Sequence, residues 1–302
     1  MKNKKKKIKF YDPQIDFKRE SINKRLQYFN FNGTNFPIPS EVEISESGIC
    51  NRKCSFCPRS DPNYPDINEF ISEKLHKKLC DELSDLNFAG LIIYSGFVEP
   101  MLDKNIYNLV NYAKSKNPKA RVEIISNGDV LNEVRLKKVY KSGLDRLQIS
   151  LYDGEEQFEK FQKLGQSLNL SEEQYVLRKR YLPEEQDFGI TLSNRGGMLT
   201  DSVYKIPPKK EPVKSSCNYP SYKFFLDYNG DVLMCSHDWG KKNILGNLKS
   251  QSLKDIWLSE KSMEARKKLN NADRSLSPCN VCDVDGGLIG NKHSEAWKKI
   301  IK

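Results

Sequence analysis

No stretch of this 302-residue chain stays apolar long enough to cross a membrane; the most apolar run, Phe88 to Tyr94, has the length of a strand. The opening MKNKKKKIK is basic, but polar sequence follows it, so no secretory apolar segment exists. No internal repeat is visible either. These absences exclude a helical membrane protein, a signal-bearing precursor and a solenoid, and they lead to the expectation of a soluble, cytoplasmic protein. Disorder is excluded by what is present. Hydrophobic residues make up 37% of the chain and charged residues 30%, and the length suits one large domain or two smaller ones.

Charge is concentrated at one end. Six lysines among the first nine residues supply +6 of the net +10. Such a tip reads as a solvated tail, with contact to nucleic acid or an anionic surface as the alternative. The rest of the chain is mildly basic, which suits an anionic substrate without requiring one.

Residues 1–39 read as an N-terminal arm without clear periodicity, ending in Pro37-Ile38-Pro39. A strand–helix alternation follows. Strands are expected at Glu41–Ser45, Ala89–Tyr94, Arg121–Ser126, Arg146–Leu151 and Phe188–Leu192. Helices are expected at Ser72–Leu86, after Asp103, at Leu131–Ser142, and at about Glu155–Leu164 and Ser171–Tyr181. Alternation of this kind implies an α/β fold with a parallel sheet. Five βα steps are too few for a closed eight-unit barrel, so the expectation over 40–198 is a partial, open barrel with its functional groups after the carboxyl ends of the strands. Beyond Met198 lies the linker-like KIPPKKEP. Two β runs, Lys223–Tyr228 and Asp231–Ser236, are then joined by Asn229-Gly230, a strong hairpin signal. Ser252 and Asp255 can cap a helix. Residues 199–302 thus read as a linker and a small cysteine-rich module of β-hairpin and helix.

Eight cysteines in a chain with no export signal point to metal or redox chemistry before disulfides. Cys50, Cys54 and Cys57 form C-x3-C-x2-C on the loop after the first expected strand. Three thiolates can hold three irons of a 4Fe–4S cluster and leave the fourth iron open to a small molecule; a zinc site with a distant fourth ligand is the other reading. Cys217 and Cys235 flank the hairpin, in the pattern C-x12-G-x4-C, and Cys279-Asn-Val-Cys282 follows. Four thiolates suit a second 4Fe–4S cluster or a zinc ribbon. Cys80 sits alone in an amphipathic helix and reads as a buried structural thiol; facing the barrel mouth, it could instead donate a hydrogen atom.

The first group, with its surroundings, resembles the radical S-adenosylmethionine (radical SAM) enzymes. Phe56 precedes Cys57 where the family places an aromatic residue against the SAM adenine. Ser95-Gly96-Phe97-Val98-Glu99-Pro100 is similar to the Gly-Gly-Glu-Pro segment that holds the SAM amino group, with Phe97 and Val98 at the glycine positions. Ser126-Asn127-Gly128 ends the third strand and Ser150 the fourth, as SAM-contacting residues do in many members; Asn194 and Arg195 follow the fifth. The resemblance covers 40 to about 198. It implies a (β/α)6-type partial barrel, a SAM-binding 4Fe–4S cluster on Cys50, Cys54 and Cys57, and SAM contacts from Phe56, Ser95, Gly96, Val98, Glu99, Ser126, Asn127, Ser150 and Asn194. Arg195 then becomes a candidate catalytic residue, touching substrate or SAM.

The second group resembles the twitch domain, a shorter relative of the SPASM domain, and NILGNL and SLKDIW are similar to the stretch between its cysteine pairs. That implies one auxiliary 4Fe–4S cluster on Cys217, Cys235, Cys279 and Cys282. A fully ligated cluster beside a radical site suits a substrate that loses two electrons. The resemblance therefore implies a radical SAM oxidoreductase that dehydrogenates an alcohol on a small polyhydroxylated molecule such as a sugar, aminocyclitol or nucleotide-linked sugar. A flavodoxin or ferredoxin would donate its electrons. Peptide modification is the alternative, against which stand only 39 residues ahead of the core; an epimerase using Cys80 is another. A zinc-stabilised nucleic-acid-binding protein would leave the first cysteine group unexplained. His237 and Asp238, close to Cys235, read as supporting or surface residues.

Overall fold

The structure, a computed structural model, describes residues 13–182, 193–199 and 211–301. It begins with helix α1 (Pro13–Lys24) and an antiparallel hairpin of β1 (Tyr28–Phe31) and β2 (Thr34–Pro37). Over its described residues the arm, expected without clear periodicity, thus forms a helix and a hairpin. Its helix gave no periodic signal because few of its side chains are buried; Ile22 is fully so, against Leu91, Ile93 and Tyr222.

Four βα units and a fifth parallel strand follow. They are β3 (Glu41–Ser45), α2 (Glu73–Asp85), β4 (Leu91–Tyr94), α3 (Ile106–Lys116), β5 (Arg121–Ser126), α4 (Glu133–Lys141), β6 (Arg146–Leu151), α5 (Glu155–Gln166) and β7 (Tyr175–Lys179). After the short α6 (Tyr219–Tyr222), β8 (Lys223–Asp227) runs parallel to β3 on the side away from β4. Strands β9 (Asp231–Leu233) and β10 (Ile244–Asn247) extend the sheet antiparallel, giving the order β10-β9-β8-β3-β4-β5-β6-β7. Helices α7 (Leu253–Trp257), α8 (Glu260–Asn270) and α9 (Asn291–Lys298) complete the chain.

The period-2 pattern of the parallel strands separates two faces. Val42 and Ile44, Val122 and Ile124, Leu147 and Ile149, and Phe224 and Leu226 point to the helical layer and form the main core. The other face mixes charged residues with apolar ones such as Leu91, Ile93 and Phe225. Lys223 Nζ lies 2.8 Å from Glu41 and also pairs with Glu43, while Lys18 from α1 reaches Glu41 at 3.0 Å. Buried carboxylates on this face are therefore paired, as burial of charge demands.

Two expectations change. Ser171–Tyr181 is not a helix. Ser171 and Gln174 do exchange the hydrogen bonds of a capping pair, but they close a turn, and Tyr175–Lys179 pairs with β6. An aromatic, β-branched run beside an open sheet edge gains more from pairing than from helix. The Lys223–Tyr228 hairpin strand is not confined to a separate module, because β8 is the sixth parallel strand of the barrel sheet. The expected strand at 188–192 lies outside the described residues.

Candidate active site

The loop after β3 carries the first three cysteines, and the sequence around them holds it. Gly48 admits no side chain, since a Cβ there would lie 2.2 Å from the Ile67 carbonyl. Arg59, buried behind the loop, donates to Phe97 O at 2.7 Å and Gly48 O at 2.8 Å. On the outer side Arg52 donates to Asp129 at 2.7 Å and Asp153 at 2.9 Å, tying the cysteine loop to the ends of β5 and β6.

A cavity opens at these strand ends. Cys50, Cys54, Phe56 and Cys57 bound it on one side; Ser95, Gly96, Val98, Ser126, Asn127 and Ser150 bound it on the other, and Arg195 and Trp239 stand across from them. The structure thus gathers most of the sequence-derived cofactor residues around one space. Glu99 lies just behind. Its carboxylate accepts from Met101 N at 3.0 Å, Ser126 Oγ at 2.7 Å and Asn127 N at 2.7 Å, so it organises two residues that do line the cavity. Burial raises its pKa to about 7, and these hydrogen bonds hold it from rising further. Asn194 does not line the cavity; its side-chain amide donates to Val281 O at 2.6 Å.

The Phe97-Val98 departure from a double glycine has a physical account. Only Gly96 in this segment has a left-handed φ, +102°. Phe97 turns its buried ring onto Phe225 and Trp239, with centroids 5.0 and 4.5 Å away. Sequence reasoning missed Tyr152, Arg52, Asp129 and Asp153. Tyr152 stacks on Phe56 at 5.2 Å and lies under Arg52 at 5.5 Å. Its signal was available, since it follows Ser150 by two positions at the end of the same strand.

The second group converges from three segments: Cys217 ahead of α6, Cys235 after β9, and Cys279 and Cys282 between α8 and α9. Burial pushes Cys279 up to about 12, and the neighbouring Cys217 and Cys282 add to the rise; Cys235 is raised by burial and by all three of its partners. In both groups a backbone N–H two residues on reaches back to the sulfur, from Arg52 to Cys50, Arg59 to Cys57, Tyr219 to Cys217, His237 to Cys235 and Val284 to Cys282. Such donors favour thiolate over thiol. A Cβ at Gly286 would lie 2.1 Å from Cys217 Sγ, so the backbone is shaped around that sulfur. Among the described residues no three His, Cys, Asp or Glu side chains converge on a point that a single ion could fill. Thiols gathered in this way, five of the seven favoured as thiolates by a backbone amide, suit an iron–sulfur cluster.

Arg195 stands at the cavity at φ +49°, with its Nε buried and without a hydrogen bond among the described residues. Its charge acts on Cys57 of the first group and on His237, beside Cys235 of the second. His237 meets the Tyr219 hydroxyl at 3.2 Å; burial, then Arg195, lowers its pKa to about 3, so it is a neutral imidazole. Asp238 accepts from Lys242 N at 2.9 Å and Asn243 N at 2.7 Å and serves its own loop. Cys80 is fully buried in the core between sheet and helices, 3.7 Å from His76. That position, away from the cavity, removes the residue on which an epimerase would depend.

A parallel partial barrel with three thiols at its mouth, and four more gathered from the segments that follow it, suits an iron–sulfur enzyme. Comparison with known proteins gives the family. The sequence model of the Radical SAM superfamily matches residues 44–173, and that of SPASM, an iron-sulfur cluster-binding domain, matches 217–283. The S-adenosyl-L-methionine-dependent 2-deoxy-scyllo-inosamine dehydrogenase of Niallia circulans is 32% identical over 245 residues, 81% of this chain and 92% of that protein. The Fe-coproporphyrin III synthase of Methanosarcina barkeri is 30% identical over 175 residues, 56% of this chain and 41% of that one. Among solved structures, BtrN in complex with AdoMet and 2-DOIA superposes with a TM-score of 0.69 at 30% identity, over 83% of this chain and 95% of that one. Native anSMEcpe with bound AdoMet, at 13% identity and a TM-score of 0.53 over 86% of this chain and 96% of that one, shares the fold. The chain belongs to the radical SAM superfamily, in the branch that carries a SPASM-type iron–sulfur module. It is a radical SAM oxidoreductase whose cofactors are SAM, a 4Fe–4S cluster in the barrel and an auxiliary cluster in the SPASM-type module. No helix among the described residues is long and apolar enough to cross a membrane.

Proposed function

We propose that the enzyme dehydrogenates one hydroxyl of an aminocyclitol to a ketone, with Cys50, Cys54 and Cys57 holding the SAM-binding cluster and Cys217, Cys235, Cys279 and Cys282 holding one auxiliary cluster. When bound, SAM and the first cluster supply a hydrogen-abstracting radical, and the second cluster supplies an acceptor for the electron that must leave afterwards. The protein's part is orientation and exclusion of water. Phe56 and Tyr152 form the aromatic wall for the adenine. Ser95, Gly96, Val98, Ser126, Asn127 and Ser150 present polar and backbone groups to SAM, with Glu99 fixing two of them. Phe97 and Trp239 close the side of the cavity with their rings packed at a tilt. Arg195 binds a substrate oxygen, as its rigid fork of donors suits, and an anionic substituent on the ring would find the same partner. The observation that carries this reading is one guanidinium lining the cavity of the first thiol group, on a turn hydrogen-bonded to Val281 and Asp283 beside Cys282 of the second. An electron donor of the flavodoxin or ferredoxin type, in the cytoplasm, completes the proposal.

The test is anaerobic turnover of 2-deoxy-scyllo-inosamine with SAM and a reductant. The wild-type enzyme is expected to yield ketone and 5′-deoxyadenosine together. Cys54→Ala is expected to abolish SAM cleavage, and Cys279→Ala to retain some cleavage while losing the ketone. A Cys279→Ala enzyme that forms ketone at the wild-type rate overturns the acceptor role.

A further inference from the structure

The turn that carries Arg195 is a strained piece of backbone. Arg195, Gly196 and Gly197 have φ of +49°, +64° and +84° in succession. A non-glycine residue avoids this region unless its surroundings impose it. The surroundings here come from the SPASM-type module. Asn194 N–H donates to both oxygens of Asp283, each at 3.0 Å. The Asn194 side chain donates to Val281 O at 2.6 Å. The contact is too close for side chains, since a Cβ on Gly196 would lie 2.8 Å from His237 O and one on Gly197 2.8 Å from Val281 Cγ2. The back of the turn is thus pressed onto the loop of Cys279 and Cys282, and its front presents Arg195 to the cavity beside Cys57.

We infer that the 281–283 loop positions Arg195 for substrate, with Asp283 and Asn194 as positioning residues, so that the auxiliary module sets substrate affinity as well as receiving an electron. This rests on the reading of Arg195 as a substrate-binding residue. It explains why an arginine tolerates left-handed backbone at this point, because the anchors on either side leave it no other path. It also separates two functions of the module. Electron transfer needs the four thiolates; positioning needs the loop surface around them.

The experiment is calorimetric titration of 2-deoxy-scyllo-inosamine into anaerobic, iron-loaded enzyme with SAM present, using Asp283→Ala, Asp283→Asn, Gly197→Ala and Arg195→Ala. Loss of an anchoring hydrogen bond is expected to weaken substrate binding by about tenfold in Asp283→Ala. Iron and sulfide content and SAM cleavage without substrate should match the wild type. Asp283→Asn, which keeps an acceptor oxygen, should recover most of the affinity, and KM should rise more than kcat falls. Gly197→Ala, which alters no residue of the cysteine loop, should show the same loss by lifting the turn from Val281. An Asp283→Ala or Gly197→Ala enzyme with full iron and wild-type affinity overturns the inference. If Arg195→Ala alone loses affinity, the substrate role of Arg195 survives and the positioning does not. If Arg195→Ala also binds normally, both fall.

Discussion

Glu46 is fully buried just past the end of β3, and neither carboxylate oxygen makes a well-formed hydrogen bond among the described residues. Burial raises its pKa well above the ordinary range; its own backbone opposes this, while Asp103 and Glu99 nearby add to the rise. The folded state therefore keeps a proton that the unfolded chain releases above a pH of roughly 4.3. Its contribution to stability is complete below that pH and is lost progressively as the pH rises toward its folded pKa. Glu46→Gln removes this dependence. In thermal melts of the metal-free protein it should raise Tm by about 2–4 °C at pH 8 and leave it nearly unchanged at pH 4. Equal effects at both pH values would contradict the assignment. Residues of this kind are hard to read from sequence, because a buried acid differs from a surface one only by its distant neighbours. The cysteines were legible for the opposite reason. Their chemistry is local in spacing, and each ligand loop contains its own amide donor two positions on. Arg52 bridging Asp129 and Asp153 was not legible, since its partners are about a hundred residues or fewer away in sequence but adjacent only in the barrel.

Among the elements, those with strong apolar periodicity lay where expected. Helix α2 buries Leu75, Leu79 and Leu83 and is capped by Ser72, whose side chain accepts from Leu75 N. Ser252 and Asp255 form a capping box on α7. Elements whose stability comes from distant contacts gave a weaker signal. Helix α9 is short and mostly polar, yet its Trp297 is fully buried against Trp257 and Phe36 and donates to Ser221 O at 3.1 Å. Arg266 lies 4.0 Å from the ring centres of both Trp257 and Trp297, so the last helix is held by an arginine between two indoles. Trp297→Ala should cost about 3–5 kcal/mol in chemical denaturation, as for other large buried side chains. A loss below about 1 kcal/mol would show that α9 is a loose appendage rather than part of the core.

At the scale of the molecule, one sheet carries both chemistries. The parallel strands β3 to β6 carry the cavity at their carboxyl ends, and the antiparallel β9 returns toward the amino end of β8, where Cys235 follows it. The barrel class was legible from strand–helix alternation, but the incorporation of β8 as its sixth strand was not, because a hairpin signal reports only the local partner. This continuity joins the strands beside the two thiol groups in one sheet, with β8 and β9 directly paired. The most direct measurement is electron paramagnetic resonance on reduced, oxygen-free Cys279→Ala protein with and without SAM. A 4Fe–4S signal that shifts on addition of SAM is the predicted result. A signal unchanged by SAM, or no iron–sulfur signal from protein that still holds Cys50, Cys54 and Cys57, would contradict the account.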